Sequence, residues 1–308
     1  MARVFIDGEA GTTGLQIHAR LRARDDIELV SLPDALRKDL DARAEAINGS
    51  DVTILCLPDA AAKESVSLLA NPTTRFIDAS TAHRIDDDWT YGFPEMTAGN
   101  TDAVARSRFV ANPGCFPTGA IALLRPLREA GLLSADAPIT INAVSGYSGG
   151  GKALIAEMEA DDAPSFFYYG LDQAHKHLPE ITKYSLLDSA PVFVPSVGRY
   201  HQGMIVQVPL SLSSVMPGTT AAQIEDALRA HYADADLISV HGLDGDARLN
   251  PEMHNDTTQM SLHVRGSAAT GQIALFAVLD NLGKGASGAA VQNLDLMLGD
   301  GAALALAG

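Results

Sequence analysis

The 308 residues suffice for about two domains, and an apolar fraction of 46% with 19% charged residues is that of an ordinary globular protein. A formal net charge of −16 excludes the basic surface that non-specific nucleic-acid or anionic-membrane binding needs. Two cysteines make no disulfide framework, no stretch reaches the ~20 apolar residues of a membrane span, and Met1 to Ile6 enters a strand rather than a signal peptide, so a reducing, cytoplasmic setting is expected.

Residues 3–7 read as a strand and Leu15 to Leu21 as a helix. Between them Gly8, Gly11 and Gly14 stand three apart, flanking Thr12 and Thr13. Such a turn lets a pyrophosphate approach the backbone while a helix N-terminus faces its charge. The spacing is not the commoner Gly-x-Gly-x-x-Gly, so the signal lies in its place between strand and helix. After a second strand, Ile27 to Leu32, no acid is offered to a ribose 2′-hydroxyl. Arg37 and Lys38 follow instead, which suits the 2′-phosphate of NADP or, equally, a solvated helix face. Strands at 52–57 and 76–79, with a helix from Ala60 to Leu69 between them, specify a doubly wound parallel sheet. Arg84 follows the second of these strands, where open α/β sheets place ligands, and is either an anion clamp or a surface arginine.

The stretch Asn112-Pro113-Gly114-Cys115-Phe116-Pro117-Thr118-Gly119 precedes an apolar helical run. It places a thiol at a helix start, where free N–H groups and the helix dipole favour the nucleophilic thiolate; the alternative is a buried cysteine acting as a small hydrophobe. Further on, Ser145 to Lys152 nearly spells a P-loop, but Ala153 lacks the hydroxyl that would hold Mg²⁺. His175 and His177, with Glu180 three residues later, suit either metal ligands or a general acid/base partner for the thiol. Residues 192–195, 204–210, 237–240 and 260–264 read as strands, 219–232 as a helix, and 272–279 as apolar and ambiguous. This block is expected to be α+β with an antiparallel sheet. The small-residue helix after Lys284 is expected to return to the first domain.

The glycine turn, the Asn-Pro-Gly-Cys-Phe-Pro-Thr stretch, Ser145-Gly146-Tyr147-Ser148-Gly149, His175 to Ile181 and Lys284-Gly285-Ala286 occur in that order. Together they resemble the N-acetyl-γ-glutamyl-phosphate reductase family of arginine biosynthesis, in its shorter form. The resemblance implies an α/β architecture: an N-terminal Rossmann domain over 1–115 and 281–308, and an α+β substrate and oligomerisation domain of the semialdehyde-dehydrogenase type over 116–280. It implies NADPH-dependent reduction of an acyl phosphate, a small-molecule substrate, to the semialdehyde through a cysteine thioester, in a homo-oligomer, dimer or tetramer, with no metal. By the same resemblance Cys115 is the nucleophile, His177 the proton shuttle and His175 an oxyanion stabiliser. Arg84, Glu180, Ser145 and Gly146 bind substrate; Gly8, Gly11, Thr12, Thr13, Gly14, Arg37, Lys38 and Lys284 serve the cofactor. An aspartate-semialdehyde dehydrogenase-like enzyme and a cofactor-free Cys/His hydrolase are the rival readings.

Overall fold

The apolar runs at the N-terminus and at 52–55 pair as neighbouring parallel strands, and the first of two units grows outward from them. In the computed structural model, which describes residues 1–212, 218–267 and 270–299, this unit comprises residues 1–94, 98–114 and the segment from 286 onward. Its elements are β1 (Ala2–Asp7), α1 (Thr12–Leu21), β2 (Ile27–Val30), α2 (Leu40–Asn48), β3 (Val52–Leu55), α3 (Asp59–Ser67), β4 (Arg75–Asp78), β5 (Thr90–Tyr91), α4 (Asn100–Arg106) and β6 (Phe109–Ala111). The strands form one sheet in the order β2-β1-β3-β4-β6-β5, every pair parallel. Parallel neighbours need crossover connections, which the intervening helices supply.

Both faces of this sheet are covered. One carries Phe5, Leu55 and Phe76 against Ala46 and Ile47 of α2 and Ala62 of α3. The other carries Val4, Ile6, Ile54 and Ile77 against Ile17 of α1 and Ala290, Leu294 and Met297 of the C-terminal helix. Inside the unit, the buried Asp7 carboxylate at the end of β1 accepts from Arg43 and from Ser65, and Arg43 also pairs with Glu64.

The second unit comprises residues 95–97 and 115–285. It contains α5 (Cys115–Glu129), β7 (Thr140–Gly146), α6 (Gly151–Glu159), β8 (Phe166–Tyr168), α7 (Leu178–Tyr184), β9 (Val192–Gly198), β10 (Met204–Ser211), α8 (Ala221–His231), β11 (Ile238–His241), β12 (Met260–Ser267) and β13 (Gln272–Leu279); α9 (Gly288–Leu298) follows in the first unit. The seven-stranded sheet runs β11-β12-β13-β10-β7-β9-β8. It is mixed rather than antiparallel throughout: β7 pairs with β9, and β11 with β12, in parallel. The chain between the members of each parallel pair is long enough to cross over, which a hairpin is not. The ambiguous stretch 272–279 is a strand paired along its whole length with β10 on one side and β12 on the other, its alternate residues Ile273, Leu275 and Ala277 buried.

Helix α5 packs on this sheet with residues 116–124 all buried. A Cβ on Gly119 would stand 2.7 Å from Val206 Cγ2, so a glycine is needed where helix meets strand. At the other end of the sheet, helix α8 starts with a capping box between Thr220 and Gln223. The expected domain boundaries differ from these units at Cys115, at 281–285 and at 95–97, all of which lie in the second unit. Cys115 belongs to the helix it opens, Lys284 is tied to Glu95, and Thr97 to Glu129. Residues 300–308 of the expected first domain lie outside the described residues. Among the described residues no helix is long and apolar enough to cross a membrane.

On β11 and β12, His241 and His263 sit opposite each other with stacked rings 4.7 Å apart. The Ser261 hydroxyl bonds both His254 Nε2 and His263 Nε2. Burial, then the neighbouring His241, Arg265 and His254, push His263 down to about 4, against a smaller opposing pull from Asp246. His254 is lowered by burial and by His241. An unfolded imidazole takes its proton near pH 6.5, so the unfolded chain binds more protons as pH falls, and stability drops between about pH 6.5 and 4. Urea denaturation across this window is expected to show that slope, shallower in His263→Gln, with no such difference between pH 7 and 8. An unchanged slope in the variant would remove His263 as its source.

Candidate active site

In the first unit the turn between β1 and α1 is built for close backbone approach. Gly8 has φ of +94°, and a Cβ there would stand 2.3 Å from the Cys56 carbonyl oxygen. One on Gly14 would stand 2.5 Å from the Gly8 carbonyl oxygen, so helix, strand and turn meet without room for a methyl group. The Gly11 N–H donates to the Gly8 carbonyl at 3.0 Å. Gly11 is the N-cap of α1 and no side chain caps that end, which leaves Thr12 and Thr13 in a first turn whose amides face outward along the helix axis. These residues fit the pyrophosphate of a dinucleotide.

Arg37 and Lys38 are exposed beyond β2, Arg37 pairing with Asp34 at 2.9 Å. Arg84 is buried: its Nε donates to the Asn112 carbonyl at 3.0 Å and its Nη2 to the Ala79 carbonyl at 3.1 Å. The arginine thus ties the loop after β4 to the loop after β6, the segment that leads to Cys115. Beside it lies a group that sequence reasoning missed. Asp78, fully buried, binds the Ser80 N–H and hydroxyl and His83 Nδ1 at 2.6 Å, and the His83 ring stacks on Trp89 at 4.2 Å. A carboxylate at a strand end, with serine and histidine two and five residues on, was the signal available.

The thiol and both imidazoles belong to the second unit. Cys115 is half-buried as the first residue of α5, where the helix N-terminus favours an anion. The ring of its neighbour Phe116 lies 6.4 Å from that of His175, 6.0 Å from that of His177 and 5.4 Å from that of Phe193. The two imidazoles are 4.7 Å apart, centroid to centroid. The His177 N–H donates to His175 Nδ1 at 3.1 Å, which assigns the proton of neutral His175 to Nε2. Burial, then Lys176, lowers the His175 pKa, with Asp172 opposing. Tyr169, whose ring is 5.6 Å from His175, is raised by burial and by negative charge on Cys115. Cys115, Tyr169 and His175 therefore lie in one neighbourhood, with the His177 ring against that of His175.

His177 is the N-cap of α7, with Pro179 in the first turn, and Glu180 one residue further on is buried. Ser145 and Gly146 end β7, both buried. The Gly146, Tyr147 and Ser148 amides donate to the carbonyls of Gly203, Tyr200 and His201. These bonds tie the start of the glycine-rich loop to the segment 200–203, and Ala153 still lacks the hydroxyl that the motif's usual reading requires. Lys284 stands in the second unit too, its ammonium 2.8 Å from both carboxylate oxygens of Glu95. Among the described residues no group of three or more histidine, cysteine, aspartate or glutamate side chains could hold a metal ion.

Residues 34–104 match the family described as semialdehyde dehydrogenase, NAD binding domain, and residues 115–281 match semialdehyde dehydrogenase, dimerisation domain. Among solved structures, aspartate semialdehyde dehydrogenase II from Vibrio cholerae, complexed with ASA, is similar with a TM-score of 0.74 at 18% identity, covering 97% of this chain and 99% of its own. The Candida albicans aspartate semialdehyde dehydrogenase with NADP gives 0.68 at 13%, covering 97% and 99%. At these identities the likeness is one of fold. Sequence similarity reaches further: a protein of Brucella suis named N-acetyl-gamma-glutamyl-phosphate reductase is 54% identical over 306 residues, 96% of this chain and 99% of its own. One of the same name from Burkholderia lata is 56% identical over 302 residues, 96% of each chain. Identity at that level, end to end over both chains, places this protein in the N-acetyl-γ-glutamyl-phosphate reductase family.

Proposed function

We propose that the protein reduces N-acetyl-L-glutamyl 5-phosphate to N-acetyl-L-glutamate 5-semialdehyde with NADPH, releasing phosphate, as a step of arginine biosynthesis. The observation that carries this reading is a thiol at the first position of α5, sharing its surroundings with two imidazoles, in a chain more than half identical to reductases of that name. The Cys115 thiolate attacks the acyl carbon, the bond from that carbon to the phosphate oxygen breaks, and phosphate leaves with the electron pair. A thioester then holds the acyl group on Cys115. NADPH, when bound, supplies the hydride that takes the acyl carbon to the aldehyde level. The resulting tetrahedral oxyanion on Cys115 collapses, breaking the carbon–sulfur bond and returning the thiolate.

His177 is the proton shuttle in this reading, and His175, kept neutral with its donor on Nε2, stabilises the oxyanion together with the Gly114 to Phe116 backbone. Ser145, Gly146 and Glu180 serve the substrate, and Arg84 acts by holding the loop at Asn112 as well as by its charge. The glycine turn with Thr12 and Thr13 receives the pyrophosphate, and Arg37 with Lys38 the 2′-phosphate. The protein works as a homo-oligomer, and we take the dimer as its unit because residues 115–281 match a dimerisation domain. A cytoplasmic setting suits such an enzyme.

The reaction is tested in reverse, as phosphate-dependent NADP⁺ reduction by N-acetylglutamate semialdehyde. Activity with aspartate semialdehyde instead, or hydrolysis without cofactor, would replace the proposal with one of its rivals. Cys115→Ser is expected to lower kcat by about 10³-fold or more; a variant retaining wild-type turnover would defeat the covalent mechanism. His177→Gln is expected to cost about 10²- to 10⁴-fold in kcat, with the acid limb of the pH profile altered. If His175→Gln shows that signature and His177→Gln does not, the two roles are exchanged. Arg37→Ala is expected to raise the Kd for NADPH about tenfold and leave that for NADH unchanged; equal affinity for NADPH would take Arg37 out of the cofactor site.

A further inference from the structure

Within the second unit, the strap Asp280–Gly285 that follows β13 is tied down residue by residue. The Asp280 carboxylate accepts from the Leu282 N–H at 2.9 Å, the Asp256 N–H at 2.8 Å and Gln202 Nε2 at 3.2 Å. Asn281 accepts from the Gly203 N–H at 2.7 Å and donates to the Ser148 hydroxyl at 3.1 Å. The Lys284 side chain is 1% exposed and shares its proton donors with both oxygens of Glu95. The Gly285 N–H returns to the Asp280 carbonyl at 2.9 Å.

At the end of the strap a Cβ on Gly285 would stand 2.8 Å from Cys115 Cβ and 3.2 Å from Cys115 Cα. The Gly285 backbone is therefore in contact with the base of the cysteine, with no space for a side chain. A buried ion pair is weak evidence for stability, because desolvating two charges offsets much of their attraction. Its effect here is to fix where the residue next to Lys284 can lie. The strap also holds, through Asn281 and Ser148, the loop that follows Ser145 and Gly146.

Resting on the reading of Cys115 as nucleophile, we propose that Lys284, held by Glu95, is a positioning residue that fixes the strap whose Gly285 backbone seats Cys115 at the start of α5. This role replaces the cofactor contact expected for Lys284 from the family resemblance.

Lys284→Met combined with Glu95→Gln removes the pair without leaving a lone buried charge, and Gly285→Ala crowds the seat directly. In both variants kcat is expected to fall about tenfold or more, with KM and the Kd for NADPH within about twofold of wild type. Alkylation of Cys115 by iodoacetamide, followed by mass on its own peptide, is expected to reach half its maximal rate at a pH about half a unit higher or more. Lys284→Arg, which keeps the charge opposite Glu95, is expected to retain more turnover than the paired variant. Wild-type alkylation profiles and wild-type kcat in both variants would overturn the proposal. So would weakened NADPH binding with unchanged alkylation, which returns Lys284 to the cofactor. If the paired variant does not fold, Gly285→Ala decides alone by the same two outcomes. The alkylation profile reads the thiol itself, so an active Cys115→Ser would refute the nucleophile while leaving the result on the seat standing.

Discussion

The chain turns from β6 through Asn112, Pro113 and Gly114 into a helix that cannot slide. Residues 116–124 of α5 are buried against the sheet of the second unit, and Gly119 lies so close to Val206 that even a methyl group would not fit. A shift of α5 along its axis by one residue, ~1.5 Å, would drive side chains into that contact. The sulfur at its first position is thus located by the core packing of α5 together with the Gly285 backbone against its base. A nucleophile must be held within a fraction of an ångström of its attack position, and a buried helix start does this while leaving the cysteine partly exposed.

Charge is handled locally in a chain that is acidic overall. A net charge of −16 repels an anionic substrate and an anionic cofactor alike. That repulsion is screened beyond about 8 Å at physiological ionic strength, so groups close to the ligand decide. The glycine turn offers backbone amides at the start of α1, and amides lose no charge to pairing. Two cations read from the sequence as ligand contacts are also engaged with the protein: Arg84 with two carbonyls and Lys284 with Glu95. Arg43, which the sequence did not single out, pairs with Asp7 at the end of β1 and steadies the strand that carries Gly8. Removing one partner of such a buried pair costs about 3–5 kcal/mol, since the other charge is left without compensation.

How much could be read beforehand follows the range of the interactions involved. Apolar runs punctuated by glycine are local, so the strands β1 to β4 and the helices α1 and α3 of the first unit were legible, whereas α2, α4 and the two-residue β5, with weaker apolar patterns, were not. The second unit was less so. The strand at 272–279 shows no polar alternation because it is central in its sheet and apolar residues stand even at its partly buried positions Ala274 and Phe276, and β8, three aromatic residues at a sheet edge, is too short to carry a pattern. The parallel pairing of β11 with β12 depends on a connection that sequence periodicity does not describe. At the site, Cys115 and the two histidines were visible as residue types in a pattern. The Asp78–His83 pair carried only a short local spacing with no apolar pattern around it, and the Asp280–Gly285 strap carried none, because its partners Glu95, Ser148 and Gln202 are brought near only by the fold.

The two histidines are chemically alike in sequence, and the backbone separates them. Accepting the His177 N–H occupies the one lone pair of His175 that a base would use at Nδ1 and leaves Nε2 carrying a hydrogen. Burial and Lys176 then disfavour a second proton on that ring. A neutral imidazole with a fixed N–H can donate a hydrogen bond to a developing oxyanion, but cannot accept a proton without giving up the bond that orients it. His177 pays no such toll: the bond joining the pair is made by its backbone and leaves both ring nitrogens out of it. The asymmetry arises from which residue contributes main chain and which contributes ring. It supports proton transfer at His177 and oxyanion stabilisation at His175, a distinction that the spacing His-x-His cannot express.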